Sequence, residues 1–294
     1  MSRVICVGIA VMDKIFGVAE IPTEATKVFA TSYKEIGGGP AATAAVAIAR
    51  LGGQSVLWAR VGADPVGARI VEELAAWGVA PRVRLVTGGQ SSVSGVLVDA
   101  QGERLIVAFA DPELEADPAW LPLEEVGGAG AILADMRWPR ASEAVMRRAR
   151  RLGVPTVVDA DLAPDDVAHS LVRLADYAVF SRPALERLVG MSDIGDALAA
   201  VHEICPGIVG VTAGRDGFIW RDGDEIRTAP GMVVAAVDTL GAGDVFHGAF
   251  ALAIAEGATV AEAGRFANVA AALKCTRPGG RAGIPTRAEV EAHL

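Results

Sequence analysis

Val4-Ile5-Cys6-Val7-Gly8-Ile9 forms a short, continuous apolar run close to the start of the chain. A run of this kind suits a strand buried on both faces of a parallel sheet, because a sheet with one wet face alternates apolar and polar residues. The pattern returns at 56–61, 131–134, 156–159, 178–180 and 208–212, with helix-period segments between the runs. Such alternation predicts repeated βαβ units, and with them a three-layer α/β/α sandwich around a mainly parallel central sheet.

Two regions break the rhythm. Residues 13–36 are one; residues 92–109 are the other, where SVSGVLVD and ERLIVAFA flank a turn at Asp99 to Gly102. Each reads as an antiparallel pair. Strands inserted this way predict a small β-sheet lid over one edge of the main sheet, within a single domain spanning 1–294. Further on, 217–221 and 225–228 predict a hairpin across Asp222 and Gly223. Helices are expected over 241–256, over 260–273, and from Thr286 onward.

The bulk composition agrees with layered helices and strands. Of 294 residues 52% are hydrophobic but only 5% aromatic, so the interior must be filled by Ala, Val, Leu and Ile. A net charge of −9 argues against nucleic acid or an anionic membrane as partner, since each needs a broad basic surface. Cys6, Cys205 and Cys275 are widely spaced and form no CxxC pair, which points away from disulfides and zinc and toward a reducing cytoplasm. The first apolar run lacks the flanks of a signal peptide, and the Ala-rich stretch 41–49 is too short to span a bilayer.

The segment with the sharpest chemical meaning is Asp238-Thr239-Leu240-Gly241-Ala242-Gly243-Asp244, between a Val-rich run and an Ala-rich helix. Small residues at a helix start let backbone N–H groups converge where the helix dipole is positive, which suits a phosphoryl group. Gly241, Ala242 and Gly243 are expected to form that anion hole. Asp244, in the first turn, is placed to act as a general base on a hydroxyl beside it. An ordinary capped helix also favours Asp there, but six fixed positions of this kind arise by chance on the order of 10⁻⁷ per start site.

DTLGAGD resembles the C-terminal signature of the ribokinase-like (PfkB) carbohydrate kinases, and Gly37-Gly38-Gly39-Pro40-Ala41 resembles their N-terminal glycine signature. The two agree in order and spacing, and the likeness covers nearly the whole chain. It implies phosphoryl transfer from ATP to a sugar hydroxyl with Mg²⁺ present, leaves room for a monovalent cation, and implies pairing of two copies through their lids.

By that resemblance Asp13 is the sugar-binding aspartate, at the end of the first strand, and Gly38 and Gly39 let the backbone approach the sugar. Thr212, Gly214 and Gly217 correspond to the segment beside the nucleotide phosphates and ribose, and Asn268 to an adenine-side position. Without the likeness, Gly214 reads as a hairpin glycine and Asn268 as a polar residue on a helix face. Ala42 stands where relatives carry an asparagine, and Ser181 and Ala184 occupy the key places of an Asn-x-x-Glu motif. Glu186 is the remaining carboxylate near that motif, so the metal assignment stays open between Glu186 and solvent.

GGGPAATAAVA, LADMRW, DVFHGA and ALKCTRPGGRAGIP further resemble the bacterial sulfofructose kinase branch of the family. Lys27 and Arg137 match two of the three positions that branch uses for the sulfonate; the third, an asparagine, is Ala108 here. The branch resemblance implies an anionic ketose such as 6-deoxy-6-sulfofructose. The alternatives are a neutral sugar or nucleoside, with both cations paired to protein carboxylates, and a non-catalytic sensor of the same fold. A dinucleotide oxidoreductase is disfavoured, since the first βα turn lacks the glycine fingerprint. His247, three residues past Asp244, is expected to pack or hydrogen-bond rather than transfer protons, and the Arg147, Arg148, Arg150, Arg151 cluster to be a solvated helix face.

Overall fold

Each of the six short apolar runs overlaps a strand in the computed structural model, which describes residues 1–114 and 117–294. The first half contains β1 (Arg3–Val7), β2 (Val11–Gly17), β3 (Ser32–Gly38), α1 (Pro40–Arg50), β4 (Gln54–Gly62), α2 (Pro65–Ala76), β5 (Ala80–Val86), β6 (Val93–Val98), β7 (Arg104–Phe109) and β8 (Ala131–Asp135). The second contains α3 (Pro139–Leu152), β9 (Thr156–Ala160), α4 (Asp165–Val172), β10 (Tyr177–Ser181), α5 (Arg182–Val189), α6 (Ile194–His202), β11 (Ile208–Thr212), β12 (Phe218–Asp222), β13 (Glu225–Ala229), α7 (Ala242–Ala255), α8 (Val260–Cys275) and α9 (Arg287–Glu291).

The main sheet has nine strands in the order β13-β12-β11-β10-β9-β8-β1-β4-β5. All neighbours from β5 to β11 pair in parallel, and the β12–β13 hairpin closes one edge antiparallel. Strand β5 was not legible as part of this sheet. It reads APRVRLV, with Arg82 and Arg84 alternating with Val83 and Leu85, because an edge strand lacks the double cover that gives a continuous apolar run.

The lid is a separate four-stranded sheet, β3-β2-β6-β7. Its two hairpins are antiparallel, as their sequences predict, and are joined by a parallel pairing of β2 with β6. Across these strands Ile36, Asp13, Ser94 and Ala108 are direct neighbours in register. Directly paired residues project to the same face, so the four form one row across the lid. Asp13, expected at the junction of the first strand and the lid, lies within lid strand β2, because the chain leaves the main sheet at Gly8 and starts a new strand at Val11.

Two apolar helices sit at the centre of the molecule. Every residue from 41 to 48 in α1 and from 245 to 254 in α7 is buried. Their Ala and Gly content allows close approach, and both start beside the lid, each straight after a glycine segment.

Candidate active site

Gly241 is the N-cap of α7 with φ 75°, a left-handed conformation that side chains other than Gly adopt at a cost. It turns the chain so that Ala242, Gly243 and Asp244 form the first helical turn. Ala242 directs its N–H at the Thr239 carbonyl (3.2 Å), so one of the three expected anion-hole residues shares its donor with the loop. Gly241 lines one cavity; Ala242 and Gly243 line another.

The larger cavity, about 480 Å³, gathers Thr212, Gly214, Gly217 and Asn268 around the start of α7. Four residues spread over 57 positions of sequence thus meet at one cleft next to the helix N-terminus. Thr212 closes β11 and donates its hydroxyl to Phe180 O at 3.3 Å. Gly217, at φ 92°, sits where a Cβ would be 2.2 Å from Ala229 O. Asn268 is buried, and its amide donates to Ala229 O (2.8 Å) and Pro230 O (3.2 Å), tying α8 to the end of the hairpin. Its polar side chain therefore also shapes the cleft wall.

The smaller cavity brings together Asp13, Gly38, Gly39, Gly241, Asp244 and Arg281. A Cβ on Gly38 would meet Asp13 Oδ2 at 2.1 Å, so only glycine leaves room for that carboxylate. Ser94 holds Asp13 from the neighbouring lid strand, donating its hydroxyl at 2.5 Å. Burial raises Asp13 above the ordinary carboxylate range, with Ser94 and Arg281 opposing. The cavity measures about 40 Å³, room for roughly one water. A wider cleft of about 960 Å³ runs between lid and body beside it.

Asp244 is the residue where the two cavities meet: its own side chain borders the smaller and its neighbours Ala242 and Gly243 border the larger. Burial first, and then the charge of Asp159, push its pKa up to about 7, against the opposing His247 and Arg281. A carboxylate tuned near neutrality is suited to take a proton and release it again. His247 is buried, with Nδ1 2.8 Å from Gly243 O and Nε2 3.1 Å from Val179 O, so it fastens α7 to β10 in the hydrogen-bonding role its spacing predicts.

Other expected residues lie elsewhere. Lys27 is exposed on the segment between β2 and β3 and borders neither cavity. Arg137 follows β8, with a guanidinium nitrogen 3.3 Å from Asp161 Oδ2. Glu186 is engaged by Arg182 of its own helix at 2.9 Å. Ser181 caps α5 by accepting from Ala184 N and donates to Asp161 at 3.1 Å. Among the described residues no group of three or more His, Cys, Asp or Glu side chains gathers as a metal cage.

Sequence reasoning missed Arg281, Lys274, Asp135 and Asp159. Arg281 is buried and donates to Gly38 O at 2.8 Å from a position 243 residues away. Its guanidinium also lies 3.3 Å from Glu73 Oε2, bracing the glycine segment from the C-terminal loop. Asp135 accepts from the N–H of Ile9, Ala41 and Arg137 at 2.8 to 3.2 Å, locking the start of α1 to the end of β8. Asp135 ends β8 and Asp159 is the last residue but one of β9, and both cations lie in the ALKCTRPGGRAGIP stretch, but nothing local in either segment names their partners.

Residues 1–287 match the family described as pfkB family carbohydrate kinase. The ribokinase of Bacillus subtilis (strain 168) is 30% identical over 301 residues, covering 100% of both chains. A crystal structure from Agrobacterium tumefaciens, provisionally described as a ribokinase, is similar with a TM-score of 0.95 at 41% identity, covering 99% of this chain and 97% of that one. Arabidopsis thaliana ribokinase, complexed with ribose and ATP, is similar with a TM-score of 0.84 at 28% identity, over 99% and 97% of the two chains. These likenesses carry the family and its fold and do not single out a sulfosugar branch. The chain is a ribokinase-like member of the pfkB family of carbohydrate kinases.

Proposed function

We propose that the protein transfers the γ-phosphoryl group of ATP to a primary hydroxyl of a sugar. The observation that carries this reading is the position of Asp244 between the two cavities, one bordered by the residues expected to hold nucleotide and the other by Asp13 and the glycine segment. ATP lies in the larger cleft with its terminal phosphate at the start of α7, and Mg²⁺ enters with it as part of the substrate. Asp13 accepts hydrogen bonds from sugar hydroxyls. Asp244 takes the proton of the acceptor hydroxyl, its oxygen forms the new bond to the γ-phosphorus, and ADP leaves.

The acceptor's charge divides two readings. An anionic ketose would use Lys27 and Arg137, and the Arg137–Asp161 pair is weak enough to exchange partners, with side chains 39% and 43% exposed. Ala108 lies in one lid row with Asp13 and Ser94, so the residue that replaces the branch's asparagine belongs to the face carrying Asp13. A neutral sugar would leave Arg137 on Asp161. An ATP-consumption assay against neutral, phosphorylated and sulfonated ketoses tests both. No turnover with any of them would leave a sugar or nucleotide sensor.

Two further features belong to this reading. The lid presents apolar side chains to solvent, among them Phe29 at 82% and Val107 at 65% exposure, which supports a homodimer joined through the lids. Three unpaired cysteines support a cytoplasmic setting.

A further inference from the structure

Lys274 near the end of α8 is fully buried, at 0% exposure, whereas Lys14, Lys27 and Lys34 are half-buried or exposed. An ammonium group is taken out of water only where something compensates it. Here the compensation comes from one residue: Nζ donates to the main-chain oxygen of Asp238 at 2.8 Å and lies 3.4 Å from Asp238 Oδ2.

Asp238 opens the loop that leads into α7. Its Oδ1 accepts from Leu240 N at 2.9 Å, and its Oδ2 accepts from Gly279 N and Gly280 N, both at 3.1 Å. The N–H groups of Val237 and Asp238 both reach Cys275 O, at 2.7 and 3.1 Å. The loop is thus clamped to the end of α8, and Lys274 neutralises the carboxylate at the centre of the clamp. Burial draws Asp238 upward, but the Leu240 and Gly280 N–H groups and the Lys274 ammonium outweigh it, so it is held below the ordinary carboxylate range and stays charged. Burial lowers Lys274 from the usual lysine range, with Asp238 opposing.

The main-chain oxygen and Oδ2 of Asp238 face a positive charge that the chain itself supplies, so the place beside them that would suit a small monovalent cation is filled by the Lys274 ammonium. We propose that Lys274 is a built-in monovalent cation that holds the 238–244 loop in its anion-binding shape, so that turnover needs no potassium. It is a positioning residue, acting on phosphate through the loop. The proposal rests on the phosphotransfer reading above.

The test compares wild type, Lys274→Ala and Lys274→Met in potassium-free buffer and at a physiological potassium concentration, with ionic strength matched by a bulky organic cation. Wild-type kcat is expected to change by less than about twofold. Lys274→Ala should lose about tenfold or more in kcat and regain most of it with potassium or ammonium, ions close in size to the missing group. Lys274→Met, which fills the space with an apolar stem, should lose as much and regain nothing. Potassium should also raise the melting temperature of Lys274→Ala and of neither other protein. Strong potassium activation of the wild type overturns the proposal, and so does a Lys274→Met variant with normal kcat and a raised KM for the sugar, which would make Lys274 a direct substrate contact. If Lys274→Ala does not fold, the wild-type titration still decides. If wild type phosphorylates no sugar, the kinase reading fails while the melting comparison still judges Lys274.

Discussion

Gly248 of α7 lies so close to Ala44 of α1 that a Cβ on it would be 2.5 Å from the Ala44 carbonyl oxygen. Each helix begins directly after a glycine segment, so this crossing sets the spacing between 37–39 and 241–243, and with it the spacing between acceptor and phosphate. Gly248→Val should cost about 1–3 kcal/mol of stability through overpacking. Its folded fraction should also turn over more slowly, because small misplacements of reacting groups are costly. Thermal unfolding and kcat measured together check this; wild-type values of both would mean that the helices part without consequence.

Asp244→Asn should lower kcat by about a hundredfold or more with little change in ATP affinity, as removal of a general base does. The wild type adds a pH signature. Only the ionised carboxylate accepts a proton, and its pKa is raised to about 7, so kcat/KM should climb as pH rises toward 7 and level off above it. An Asp in its ordinary range would give a flat profile there. A flat profile, or near-normal turnover of Asp244→Asn in folded protein, would remove Asp244 from the mechanism.

The lid must move for a sugar to enter, since the cavity around Asp13 and Asp244 is about 40 Å³ and the space beside it opens between lid and body. Amide exchange in 13–36 and 92–109 should slow when sugar and a non-hydrolysable ATP analogue are added together, reporting closure that shields the reaction from water. Equal exchange with and without ligands would leave the lid a fixed wall.

Substrate charge is tested at Arg137 and Lys27. If they grip an anionic terminus, replacing either by Ala should raise KM for an acidic ketose roughly ten- to a hundredfold and leave a neutral analogue nearly unaffected. Ala108→Asn should then sharpen the preference for a sulfonate. Equal effects of Arg137→Ala on all ketoses would instead assign Arg137 to its contact with Asp161.

Much of the fold was legible because burial writes itself locally. Doubly covered strands read as unbroken apolar runs, and a helix entered through a left-handed glycine and small residues reads as DTLGAGD. Strand β5 escaped because one of its faces is wet, and the parallel join of β2 to β6 escaped because hairpin signals describe only neighbours in sequence.

The sequence by itself pointed to the βαβ alternation, the two glycine segments and the place of Asp244 in the first turn of α7, and the family resemblance pointed to the residues that line the larger cleft. Tertiary structure alone decided that Asp13 lines up with Ser94 and Ala108 across the lid, that Arg281 reaches Gly38, and that Lys274 lies buried against Asp238. The reason is physical. Periodicity records which face of an element is covered, and a turn records the backbone angles it needs. The partner of a long charged side chain leaves no such local trace, because it is chosen by whichever distant oxygen the packed core brings within reach and keeps from water.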